Sequence, residues 1–234
     1  METHLNAARA QLDSMIVEIE LTLISIIQGV ALTFLIESAR EVVSFKEMAF
    51  WPYVISGLLV IFVFWSRSVI HIITVIRWPI EFGHNFLYIA CALVEAVLFT
   101  KLHRPAAWFA FGAVFGAVGW LLFFYDLRLI RAREADSAGP ASNRMVTFVR
   151  RDQVANIVVL VPGVFFFNLA CYLCIRARPE LFLDRHYHVA LALLQVVGFG
   201  GYLLYVVRHF RLIAPEVAAA RAEWMAAKVG SGKP

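Results

Sequence analysis

Six blocks of about 20 mostly apolar residues alternate with short polar stretches along the chain, at roughly 16 to 37, 51 to 73, 82 to 100, 106 to 126, 154 to 175 and 187 to 207. An α-helix rises about 1.5 Å per residue, so each block is long enough to cross a hydrocarbon layer of about 30 Å. The pattern predicts an all-α polytopic membrane protein with six transmembrane helices, residues 1 to 210. The longest internal connection, Arg131 to Asp152, mixes charge with Ser, Gly and Pro and divides the spans into three plus three. Beyond the sixth block, the alanine-rich "PEVAAARAEWMAAKV" starts with Pro215, a residue suited to a first helical position. A short amphipathic or soluble helix is expected there, within a tail of 211 to 234 that ends in a loose "GSGKP"; it would lie on the membrane or pack against a neighbouring subunit.

Composition strengthens the membrane reading and charge orients it. Of 234 residues, 61% are hydrophobic and 16% charged, more apolar surface than a soluble core of this size hides. The first fifteen residues lack a basic leader, a short apolar block and a small-residue cleavage site, so the first block is expected to be a true span. Lys and Arg of short loops favour the cytoplasm. With the N-terminus inside, that side holds Arg9, Arg67, Arg77, the six arginines from Arg128 to Arg151 and five basic residues of the tail; the other side holds Arg40, Lys46, Lys101, Arg104, Arg176, Arg178 and Arg185. Both termini are therefore expected in the cytoplasm. The net charge of +4 follows from these loops, so no nucleic-acid partner is expected. Trp51, Tyr53, Trp78 and Trp108 stand where spans meet the headgroups and are expected to be interfacial anchors. Cys91, Cys171 and Cys174 lie in apolar blocks, which argues for packing and against a disulfide framework.

Candidate chemistry is concentrated in polar residues inside the spans, where polar groups turn from lipid toward protein or water. At 100° per residue the first block places Glu18, Thr22, Ser25, Leu32 and Ile36 on one face, with Gln28 about 80° to one side and Thr33 about 60° to the other. Ser25, Gln28, Leu32 and Ile36 are candidates for lining a water-filled path, and the polar members could equally bond between packed helices. Glu37 and Glu95 fall at similar depth and would set the charge of an outer vestibule, or form salt bridges with Arg40 or Lys101. Arg67 and His71, four residues apart on the second helix, are expected to form an inner polar cluster with Glu18 and Glu20. Asn85 of "HNF" can cap its helix or bond to a neighbour. Gly112, Gly116 and Gly119 form a small-residue face for close helix contact, within the bundle or between subunits, and "GFGG" at Gly198 to Gly201 could do the same. "DRHYH" offers Asp184, His186 and His188 without evident further ligands, so no metal and no cofactor is expected. No nucleophile with a base, and no phosphate-cradling glycine loop, points to an enzyme.

"QGVALTFLIES" (Gln28 to Ser38), "VISGLLVIFVFWSRSVIH" (Val54 to His71) and "HNFLYIA" (His84 to Ala90) together resemble the single-repeat bacterial relatives of the lysosomal potassium channel. Gly29, Val30, Trp65, His71 and Asn85 carry the resemblance, over about the first 100 residues. Thr22 stands where that family has Arg, and Ile26, Ile27 and Gln28 replace its Phe-Ser-Asp. The resemblance implies a homo-oligomeric, cation-conducting channel, potassium being that family's ion, whose first helix lines the pore, in a bacterial cytoplasmic membrane. The alternative expectation is an accessory subunit packed among other membrane subunits, and a third is a proton-coupled carrier using Glu95 or His71.

Overall fold

In a computed structural model of the chain, residues 2–45, 47–76, 81–135 and 139–230 are described. They form helices joined by turns, with no strand among the described residues. Helix α1 is Glu2–Phe45, α2 Trp51–Thr74, α3 Phe82–Phe99 and α4 Pro105–Ala135. Helix α5, Pro140–Ala155, passes through a π-turn at Asn156–Leu160 into α6, Val161–Ala177, and α7 is His188–Gly230. Six helical segments are long and apolar enough to cross a membrane: Gln11–Arg40, Met48–Thr74, Phe82–Phe99, Pro105–Glu134, Pro140–Ala177 and His188–Glu223. Trp78, Arg77, Lys46 and the final Ser231 to Pro234 lie outside the described residues.

Proline marks where helices begin. Pro52, Pro105 and Pro140 each stand in a first turn, where the missing N–H had no partner to lose. Two other prolines sit inside continuous helix, and each has a local reason. At Pro162 the ladder has widened, with Val161 N–H bonding to Asn156 O; the π-turn makes room for the ring over the preceding turn.

Pro215 does not start a separate helix, because α7 runs through it from His188 to Gly230. Packing on both sides explains this. Ile213 and Val217 sit with Val75, Ile130, Met145, Val146 and Val149 in one apolar cluster. Further along, Glu223 Oε2 accepts the N–H groups of Ala141 and Ser142 at 3.1 and 3.2 Å, capping α5 from α7. The same contact shortens the connection expected from Arg131 to Asp152. Helix α4 continues to Ala135 and α5 starts at Pro140, so most of that polar stretch is helix extending past the apolar blocks.

Helix α4 packs along α6 and α3, α2 along α7, and α1 against α2 and α3. Near the connections at 47–50, 100–104 and 178–187 the core is aromatic: Tyr53, Phe99, Trp108 and Phe109 are fully buried with Leu35, Leu102 and Ile175. Tyr53 and Trp108 thus face the bundle interior, edge to face at 5.4 Å, and are not headgroup anchors.

A candidate functional site in the polar core

Helix α1 is apolar almost all round, and its buried seam is set by its neighbours. Ile16, Glu20, Ile24, Gln28, Ala31, Leu35, Ala39 and Val42 are buried. Their spacing of three to four residues is that of one helix face. Gln28 therefore points into the bundle, 4% exposed, while Ser25, Leu32 and Ile36, about 40° to 80° around the helix from it, are exposed on the adjoining flank. The four pore-lining candidates do not share a face. Thr22, Ser25 and Thr33 donate to carbonyls of their own helix at 2.8 to 3.0 Å, so their hydroxyls are satisfied without a partner helix.

Inside the bundle, Gln28 Nε2 donates to Glu95 Oε2 at 3.2 Å and lies 3.4 Å from Tyr88 Oη, joining α1 to α3. Glu95 is 0% exposed, whereas Glu37 is exposed on α1. These two carboxylates do not form a shared vestibule. Gln28 Oε1 and Glu95 Oε1 have no hydrogen-bond partner among the described residues. Buried acceptors left open are costly, so this pair is a place where water or a cation would be stabilised.

A second group of polar side chains lies toward the N-terminal end of α3. His84 Nδ1 is 2.7 Å from Asp126 Oδ1, and His71 Nε2 approaches the same oxygen at 3.5 Å, too poorly aligned for a hydrogen bond. The two imidazoles stack at 4.9 Å, and Tyr88 stacks on His84 at 6.4 Å, which brings this group up to Gln28 and Glu95. Asn85 donates to Glu20 Oε1 at 2.8 Å, the neighbour bond to α1 that its position allowed.

Arg67 pairs with Asp152 of α5, Nη2 to Oδ2 at 2.6 Å, and not with Glu18 or Glu20. Glu18 is exposed. Tyr205 donates to Asp152 Oδ1 at 2.6 Å, and Asn156 donates to Asp152 O at 2.7 Å while accepting from Tyr202 at 2.5 Å. The inner cluster expected from Glu18, Glu20, Arg67 and His71 is thus divided into three sites, each completed by a residue from another helix.

At the opposite end a different network closes on itself. Gln195 Oε1 accepts from Trp108 Nε1 at 2.8 Å and from Ser56 Oγ at 3.1 Å, and Gln195 Nε2 donates to Asn168 Oδ1 at 2.8 Å. Tyr53 Oη meets His188 Nδ1 at 3.0 Å. His186 meets the His188 ring edge to face at 5.8 Å, and Asp184, His186 and His188 form no ligand cluster among the described residues.

Gly112 and Gly116 lie under α6: a methyl group on Gly112 would collide with Asn168 Oδ1, and one on Gly116 would stand 3.1 Å from Phe165 Cα. Gly119 faces Cys91 Sγ at 3.9 Å. This face packs within the bundle. Gly198, Gly200 and Gly201 meet nothing within 4 Å and make no such contact in the chain. The three cysteines are free thiols.

Asp126, Asp152, Asn156, Asn168 and Gln195 escaped the sequence reading as site residues. The first two belong to stretches read as span end and connecting loop, and the side-chain partners of their carboxylates lie 42 or more positions away. One signal was available: each is a polar residue in or beside an apolar block, where a partner is required.

The fold and its buried charges define an all-helical chain that fits a multi-pass integral membrane protein. No family model matches the chain, and neither a curated protein nor a solved structure matches it.

Proposed function

We propose that the chain is a cation-transport protein of the membrane whose path lies inside its own helical bundle, with protons the first species to test. The observation that carries this reading is a set of neighbouring polar side chains, buried except for half-buried Asn85, in three groups: Glu20 with Asn85, His84 and His71 about Asp126, and Tyr88 and Glu95 about Gln28, the last two groups meeting where Tyr88 stacks on His84 at 6.4 Å. Ionisable groups within membrane spans are costly against lipid and are kept mainly where they move or hold charge. Carboxylates and imidazoles in contact are the groups from which proton relays are built. Purified protein in liposomes carrying a pH-sensitive dye tests this. An imposed potential should drive proton or alkali-cation flux, and Glu95→Gln should lower it at least about tenfold. Flux that is undetectable with folded protein, or unchanged in Glu95→Gln, rejects the reading.

A second reading, the homo-oligomeric channel with α1 around a shared axis, is favoured by one specific observation. Leu32 and Ile36, about 40° apart, form an exposed apolar strip on α1 beside the satisfied hydroxyls of Ser25 and Thr33. Leu32 and Ile36 could then form a constriction that dewets. Mass measurement after gentle extraction separates the readings: a symmetric oligomer whose flux falls with Leu32→Asn or Ile36→Asn changes favours the channel, and an active monomer favours the interior path. Both termini in the cytoplasm, and residence in a bacterial cytoplasmic membrane, belong to this proposal, supported by the excess of Arg around Arg128 to Arg151.

A further inference from the structure

We propose that His71, His84 and Asp126 form a binding site for one divalent transition-metal ion, Zn²⁺ being the best fit, bridging α2, α3 and α4. The three side chains come from three helices, and all are buried. One ligand atom from each lies within 4.8 Å of the other two. Two imidazole nitrogens and a carboxylate oxygen are a donor set suited to Zn²⁺ with one position left for water.

The spacing fits the ion's size. Tetrahedral bonds of about 2.0 to 2.1 Å put neighbouring ligand atoms about 3.3 Å apart. His71 Nε2 to Asp126 Oδ1 is 3.5 Å and His84 Nδ1 to Asp126 Oδ1 is 2.7 Å, so a metal would need His84 to withdraw by roughly half an ångström.

Two further observations point to a ligand. First, His71 Nε2 is buried, faces the carboxylate and has no hydrogen-bond partner among the described residues. Second, the same three residues line a small cavity together with Phe64, Arg67, Ser68, Leu122, Phe123 and Gln153. At about 20 Å³ it has room for one water molecule. Ser68 and Gln153 give that water polar walls. Arg67 is the one permanent cation among these lining residues, and Asp152 at 2.6 Å balances its charge. The two imidazoles stack at 4.9 Å with their planes 20° apart, and a ring nitrogen's lone pair lies in its ring plane, so one ion held by both would turn one ring out of the stack.

Binding at this site does not depend on the transport reading, and its test uses no flux. Untagged protein in detergent, stripped with chelator, would be titrated with Co²⁺ and followed by its visible d–d bands, then with Zn²⁺ against a chromophoric indicator. One equivalent should bind, with bands of a low-coordinate site, and Zn²⁺ should raise the melting temperature. His71→Phe keeps the ring stack and removes the nitrogen, and it sacrifices no hydrogen bond of that nitrogen. It should weaken Zn²⁺ at least about tenfold, as should Asp126→Asn, while His186→Ala should leave the affinity unchanged. Folded protein that binds no stoichiometric metal overturns the proposal. So does binding that survives His71→Phe, and so does binding lost on His186→Ala. If Asp126→Asn fails to fold, His71→Phe decides alone.

Discussion

The two polar networks in this bundle are built from similar residues and end in opposite states. Around Gln195 every side-chain bond closes: Trp108 and Ser56 donate to its oxygen, and its nitrogen reaches Asn168. Around Glu95 and His71 the bonds stay open, with Gln28 Oε1, Glu95 Oε1, His71 Nε2 and two nitrogens of Arg67 unpartnered among the described residues. A closed network in a low-dielectric interior locks helices together, and an open one holds places for something that comes and goes. On the transport reading proposed above, the closed network serves the fold and the open one carries the path.

Four substitutions can break or sharpen that contrast. The largest loss is expected from Asp152→Ala, which leaves Arg67 buried and unpaired; removal of one partner of a buried pair costs about 3–5 kcal/mol. Thermal melting in detergent reads it, and a melting temperature near wild type would show that water already neutralises the pair. Gln195→Leu strips the closed network of its hub and should cost about 1–3 kcal/mol, because Trp108, Ser56 and Asn168 lose their partner together. No loss there would erase the distinction between the two networks.

Glu95→Gln should do the reverse. It removes a charge-bearing group whose Oε1 has no partner, so stability should change by under about 1 kcal/mol, while flux falls about tenfold, roughly 1.4 kcal/mol in barrier terms. A large destabilisation with intact flux in the surviving protein would make Glu95 a structural residue like Gln195. The smallest effect is expected at Gly198→Ala, where a new methyl meets open space and helix propensity favours alanine; stability, read by thermal melting, should hold or rise by about 0.5 kcal/mol or less in an isolated chain. A marked loss would place that glycine face in a contact between copies.

Much of the architecture could be read from the chain because bilayer thickness imposes a length on every span. All six apolar blocks fall in helices, and Gly112, Gly116 and Gly119 face neighbouring helices as their spacing suggested. The interior was harder to read. On α1, apolar residues surround the whole helix, so periodicity could not tell the face of Ser25, Leu32 and Ile36 from the face of Glu20 and Gln28. Tyr53 and Trp108 were read as anchors because an aromatic residue near a span end looks the same whether its polar tip reaches headgroups or Gln195 and His188.

From the sequence alone follow the helical class, the six segments long and apolar enough to cross a membrane and the presence of ionisable groups that lipid would reject. Those are properties of length and transfer free energy, fixed by residues close together in the chain. Only the tertiary structure decided who meets whom: Glu95 with Gln28, Arg67 with Asp152, and His71 and His84 around Asp126. Partners that lie 13 to 85 positions apart are chosen by how helices rotate and pack, and no local pattern encodes that rotation when every face is apolar.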